Sequence, residues 1–267
     1  LKKPVIFTDL DGTLLDDTYS FERALPALGL LREKNVPLIF CSSKTRREIE
    51  HYRKKLINSH PFISENGGGI FIPKGYFKLR ITNYKLQTEK EYVLIKLGAQ
   101  YSQLRKALKE LRSEGFRVRG FGDMTVKEIS EATKLSAAEA EMAKERDFDE
   151  PFFFDGEDHI LPRLFDAIKA RGFHQTRGKF FHILGDSDKG KAVMILTDLY
   201  RREYGDIETI GIGDSPNDIP MLEKVDIPVL VQKPDGSYDP HINIRNLLKA
   251  AGPGPEGWNM AVLKLIA

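Results

Sequence analysis

The chain has 267 residues, 41% hydrophobic and 30% charged, with acids and bases interspersed to a net charge of +2. That make-up is a folded globular protein of one long or two ordinary domains, with no electrostatic case for nucleic acid. No apolar run approaches the roughly 18 residues needed to cross a bilayer, so no membrane partner is expected, and the single cysteine, Cys41, excludes an intrachain disulfide and a cysteine-built zinc cluster.

The N-terminal residues lead straight into a strand, with no room for the three regions of a secretory signal, and a cytoplasmic protein is expected. That strand, Val5-Ile6-Phe7-Thr8, ends in Asp9-Leu10-Asp11-Gly12-Thr13. Carboxylates at i and i+2 point to one side of an extended chain, and Gly12 permits a sharp turn after them. Two such neighbours repel unless a cation or a shared proton relieves them, so the pattern predicts a divalent metal, a raised pKa, or both.

Residues 24–34 carry Ala24, Leu28 and Leu31 at helical spacing, with Pro26 tolerated in the first turn. A buried strand at 37–41 follows, with Cys41 as a small buried hydrophobe. Then come a charged helix at 45–56, a short strand at 62–63 and the turn Glu65-Asn66-Gly67-Gly68-Gly69. Strands alternating with helices in this way form a parallel sheet covered on both faces.

Beyond Pro73-Lys74-Gly75 the pattern changes. Strands are expected at 92–97, 116–119, 152–154 and 179–184, and helices at 102–114 and 161–171. Two capping boxes, Thr125 with Glu128 and Ser136 with Glu139, start further helices. Residues 82–184 therefore read as an inserted α+β domain. The first pattern resumes with a helix at 189–204, a strand at 209–213, a helix at 218–224 and a strand at 227–231. Residues 252–258 are rich in turn formers, and 260–265 is helix-like. A core of residues 1–81 and 185–267 is expected.

Chemistry gathers at strand ends. A second apolar strand ends in Gly213-Asp214-Ser215-Pro216-Asn217-Asp218, mirroring the first, and two acidic strand ends in one sheet can surround one hard cation such as Mg²⁺. Ser42 follows the second strand and Lys189 opens a helix, so both can reach the same crevice.

In this order, Asp9-Leu10-Asp11-Gly12-Thr13, Ser42, Lys189-Gly190 and Gly213 to Asp218 resemble the four motifs of the haloacid dehalogenase superfamily of phosphotransferases. The resemblance implies an α/β fold, a Rossmann-like parallel-sheet core with the insertion as a cap of the larger α/β class. It implies Mg²⁺ held by Asp9, the backbone carbonyl of Asp11 and Asp214, with Asn217 and Asp218 orienting this group. Asp9 is implied as nucleophile, Asp11 as proton carrier, Ser42 as a phosphoryl hydrogen-bond donor and Lys189 as the cation on nucleophile and phosphoryl group.

A closer resemblance lies outside the motifs. Cys41 to Thr45, Glu65 to Gly68, Gly122 to Thr125, Ala143 to Phe152 and Gly254 to Trp258 are similar to the mannosyl-3-phosphoglycerate phosphatase family, although its members often have threonine at Ser42. This implies hydrolysis of a small phosphorylated glycoside, with Ser43, Lys44, Asn66, Gly67, Arg146 and Glu150 as substrate-binding candidates. Arg146 and Glu150 alternatively pair on the surface beyond the helix starting at Ser136. Competing readings are a phosphatase for glucosyl-3-phosphoglycerate or another sugar phosphate, a phosphomannomutase-like transferase, and a non-catalytic binding module.

Overall fold

The computed structural model describes residues 2–78, 84 and 86–267. Thirteen strands occur among them: β1 (Lys3–Thr8), β2 (Leu38–Cys41), β3 (Phe62–Ser64), β4 (Gly69–Pro73), β5 (Leu86–Glu89), β6 (Tyr92–Lys96), β7 (Val118–Gly120), β8 (Asp149–Phe154), β9 (His174–Arg177), β10 (Phe181–Leu184), β11 (Ile207–Gly213), β12 (Ile227–Gln232) and β13 (Leu248–Pro253). The helices are α1 (Leu25–Glu33), α2 (Arg46–Lys55), α3 (Tyr101–Ser113), α4 (Val126–Thr133), α5 (Ala137–Lys144), α6 (Leu161–Ala170), α7 (Lys189–Tyr204), α8 (Ile219–Leu222) and α9 (Gly254–Ile266). No described helix is long and apolar enough to cross a membrane.

Nine strands form one sheet in the order β13-β12-β11-β1-β2-β3-β4-β6-β5. Pairing is parallel from β13 to β3 and antiparallel from there to β5. The chain leaves β1 toward β2 and β3, then returns to build β11 to β13 on its other side. The carboxyl end of β1 is thus the switch point of the sheet, where such folds open a ligand crevice. Alternation along β1 separates two cores. Val5 and Phe7 pack with Ala192, Val193 and Leu196 of α7, whereas Ile6 packs with the apolar faces of α1, α2 and α9. Cys41 is fully buried in the first of these, as expected.

The smaller sheet, β7-β8-β10-β9, is antiparallel, and α3 and α6 pack on one of its faces through Leu104, Leu108, Leu111, Leu164 and Ile168. Both expected capping boxes form, at Thr125–Glu128 and Ser136–Glu139.

Two expectations need correction. The strand at 92–97, placed by sequence in the insertion, is β6 of the larger sheet. Leu94 enters one of that sheet's cores and Ile95 the other, so it extends the sheet rather than leaving it. Residue 82, the expected start of the insertion, lies outside the described residues. The turn-rich tail holds β13 and then the start of α9. Gly252 (φ 101°) makes the turn, Pro255 sits in the first helical turn, and fully buried Trp258 donates through Nε1 to Thr8 Oγ1 at 3.0 Å.

Candidate active site

The ends of β1 and β11, the start of α7 and the turn before α8 converge on one acidic centre. Asp9 follows β1, and its amide still donates to Ile212 O of β11 at 2.9 Å, so sheet register fixes where its carboxylate stands. Gly12 takes φ 78°, and a β-carbon there would lie 2.8 Å from Asp214 Oδ2. Only glycine lets the first motif approach the last this closely. Thr13 Oγ1 then donates to Asp214 Oδ1 at 3.0 Å.

Lys189, with no side-chain exposure, sits between two acids, its Nζ 2.6 Å from Asp9 Oδ1 and 2.6 Å from Asp218 Oδ1. The other oxygen of Asp218 accepts from the amides of Asp214 and Ser215 at 3.0 and 3.1 Å. Asp218 is therefore fully engaged in holding Lys189 and the loop. Single carboxylate oxygens of Asp9, Asp214 and Asp218 lie within 4.8 Å of one another.

Burial raises Asp9 to a pKa of about 7 against the pull of Lys189, with Asp218 adding to the rise. Asp214 is pushed well above the usual carboxylate range by burial, then by Asp218 and Asp9. Crowded hard oxygens whose negative charge is disfavoured suit a small oxygen-seeking dication. Among the described residues, Asp9 and Asp214 each keep one oxygen outside hydrogen bonds, and no backbone donor takes Asp11 O. The expected Mg²⁺ ligands thus fit the ion, with Asp218 as support.

The centre opens into a crevice of about 1190 Å³ between the two sheets, large enough for a glycoside. Asp11 is on its wall, with Oδ2 3.0 Å from Lys44 Nζ and Oδ1 without a partner among the described residues. Ser42 is buried at the end of β2 and accepts from the Lys44 amide at 3.3 Å, while Ser43 and Lys44 line the crevice.

The other substrate-binding candidates divide. Arg146 lines the crevice, but its guanidinium is bonded to Asp149 and to the carbonyls of Ser43 and Ala143. Asn66 donates to Asp149 Oδ2 at 2.8 Å and accepts from Asn217 at 3.1 Å, bridging the two sheets rather than facing the main crevice. A β-carbon on Gly67 would lie 2.0 Å from Asp188 O, so this glycine serves close packing. Glu150 is fully buried with Tyr101, Arg105 and the Gly122 amide, away from the crevice wall. Arg146 and Glu150 form no surface pair, since both are buried with different partners.

The error at Glu150 is one of parity. Successive residues of β8 face opposite sides, so Glu150 meets α3, while Asp149 and Pro151 turn toward the larger sheet and the crevice. Sequence reading also passed over Glu65, His182 and Lys179. Glu65 is buried and accepts three successive amides, of Asp147, Phe148 and Asp149, at 2.7–3.1 Å. Lys179 lines the crevice and donates to Thr133 O at 3.0 Å. Strand alternation around β10 and the glutamate before Asn66 were the available signals.

Residues 6–235 match the family model of haloacid dehalogenase-like hydrolases. The chain is 48% identical over 267 residues to a glucosyl-3-phosphoglycerate/mannosyl-3-phosphoglycerate phosphatase of Methanococcoides burtonii, covering 99% of this chain and 97% of that one. It is 40% identical to a mannosyl-3-phosphoglycerate phosphatase of Pyrococcus furiosus, covering 85% and 90%. Among solved structures, the sucrose-phosphatase of Synechocystis, in complex with sucrose and phosphate, shares the fold at a TM-score of 0.64 and 14% identity, covering 99% and 98%. With the motif residues gathered at one sheet edge and these matches spanning nearly all of it, the chain belongs to the haloacid dehalogenase-like hydrolases.

Proposed function

We propose that this protein is a Mg²⁺-dependent phosphatase that releases phosphate from both mannosyl-3-phosphoglycerate and glucosyl-3-phosphoglycerate. The carrying observation is Lys189, bonded at 2.6 Å to both Asp9 and Asp218 beneath the crevice. This arrangement holds the Asp9 carboxylate in place and supplies a fixed positive charge where phosphoryl negative charge arrives. The relatives' names support the substrate. Two of them, at 48% and 43% identity, carry both glycosyl names, which favours a site tolerant of either sugar.

In this reading Asp9 attacks phosphorus in line with the ester oxygen, forming an Asp9 acyl phosphate as the ester bond breaks. Asp11 gives its proton to the departing oxygen, then takes one from the water that hydrolyses the acyl phosphate, freeing Asp9 and inorganic phosphate. Ser42 and Lys189 hold the phosphoryl oxygens. Asp9, Asp214 and the Asp11 carbonyl would hold Mg²⁺, which screens charge between nucleophile and phosphate when bound. The smaller sheet with its helices, from α3 to β10, acts as a cap that recognises the glycosyl-glycerate and excludes water.

The test is phosphate release from the two glycosyl-3-phosphoglycerates and a panel of hexose phosphates, with Mg²⁺ and without any bisphosphate activator. Turnover of the first two, abolished in Asp9→Asn and Asp11→Asn, is expected. Turnover of hexose phosphates alone would remove the substrate assignment, and a bisphosphate requirement would favour the mutase.

A further inference from the structure

We infer that His182 is a substrate-contacting residue of the cap, presenting Nε2 to the leaving group of the phosphate ester while Asp149 fixes its ring; this rests on the proposed reading of the crevice as a sugar-phosphate site. Parity places it there. In β10, Ile183 enters the cap core and Phe181 packs against it, so His182 between them faces the other way, opposite Pro151 of β8 on the crevice wall.

A histidine buried to 4% exposure needs its ring nitrogens accounted for. Nδ1 lies 3.0 Å from Asp149 Oδ2. That carboxylate also accepts from Asn66 Nδ2 at 2.8 Å and from Arg146 Nε at 2.7 Å. Against the cost of burial, its partners hold it below the usual carboxylate range, Arg146 most strongly and then His182, so it is the acceptor and the Nδ1–H the donor. Nε2 makes no hydrogen bond among the described residues and is not sealed from the crevice. An oriented imidazole with one free nitrogen on a ligand-sized cavity is the arrangement by which second partners aim a functional ring.

The chemistry that fits Nε2 is a hydroxyl or carboxylate of the departing molecule, not the phosphoryl group, which belongs to Asp9 and Lys189. The same hydrogen-bond chain continues from Asp149 through Asn66 to Asn217, beside Asp218. His182 is thereby held in fixed relation to the phosphate end of the crevice.

Two substitutions separate contact from support. His182→Asn keeps an amide near the Nδ1 position and withdraws the Nε2 position; His182→Gln places an amide near Nε2. Steady-state kinetics on mannosyl-3-phosphoglycerate are compared with those on p-nitrophenyl phosphate, which lacks a polar glyceryl or sugar group. Expected for His182→Asn is a KM raised about tenfold or more on the first. On p-nitrophenyl phosphate it stays near the wild-type value, and His182→Gln recovers part of the loss. An unchanged KM on the glycosyl ester overturns the inference, as does a parallel loss on both substrates accompanied by a lower melting temperature. If the wild type cleaves p-nitrophenyl phosphate but neither glycosyl-3-phosphoglycerate, the substrate reading fails. The same KM comparison on the best hexose phosphate then decides His182.

Discussion

Lys44 Nζ lies 3.0 Å from Asp11 Oδ2 and 3.4 Å from Glu48 Oε1, on a side chain only 4% exposed. The residue expected to grip substrate thus also holds the carboxylate assigned to proton transfer. Its ammonium further sits 4.9 Å from the ring centre of Tyr19. Lys44→Met should lower kcat by about tenfold or more by freeing Asp11, and should cost about 3 kcal/mol by leaving buried Glu48 uncompensated. Denaturant melts and phosphate-release kinetics on the same preparation measure both. Full kcat in Lys44→Met would remove Lys44 from Asp11 positioning.

The acidic centre predicts a metal-linked stability. Mg²⁺ added to chelator-treated protein should raise its melting temperature, by about 2.7 kcal/mol of stability at a hundredfold excess over Kd. Asp214→Asn should lose most of that gain. Because burial and the Asp218 and Asp9 charges disfavour the Asp214 carboxylate, the same variant should melt higher than wild type without metal. Calorimetry with and without Mg²⁺ reads both signs.

Gly12 tests the approach of the first and last motifs. At φ 78°, with Asp214 Oδ2 2.8 Å from where an alanine methyl would stand, Gly12→Ala should cost about 1–3 kcal/mol in backbone strain. It should also displace Asp214, so the Mg²⁺ concentration for half-maximal activity rises. A variant with wild-type Mg²⁺ dependence would show that Asp214 does not need this approach.

Acid sensitivity has a source remote from the site. His60 Nδ1 is 2.7 Å from Tyr76 Oη, which is 2.7 Å from Tyr200 Oη. Burial, then Arg53 and Lys3, lowers His60 to a pKa of about 4. The folded state therefore prefers neutral imidazole. Its contribution to stability is complete above pH 6.5, the ordinary value, and declines as pH falls through about 4. The difference between wild-type and His60→Gln stability curves should shrink across that interval; a flat difference would rule the mechanism out.

The residues proposed to hold metal and phosphate were legible because that chemistry demands strand ends, acids and glycine in fixed local order. Asp9, Lys189 and Asp214 stand together at one sheet edge, with Asp11 on the crevice wall. Residues of the smaller sheet obey no such local order. Glu150 and Asp149 are adjacent acids, and only pairing with β10 decides which turns toward α3 and which toward Asn66 and His182. Likewise Asn66 reads as a polar turn residue, whereas its partners Asp149 and Asn217 lie 83 and 151 positions away. The strand at 92–96 carries apolar side chains on both faces, but which sheet they complete depends on β4. Long-range pairing, absent from any sequence window, accounts for each miss.

β1 takes β11 as one of its two neighbours, and Thr13 reaches Asp214 across 201 positions. During synthesis the first motif therefore emerges with its strand flanked on one side only, and it stays so until the whole insertion has followed. Contacts of such sequence separation form slowly. The acidic centre is thus a late product of folding: a chain halted before residue 207 has Asp9 and Asp11 but neither Lys189's second acid nor Asp214, and cannot yet assemble the carboxylate cluster.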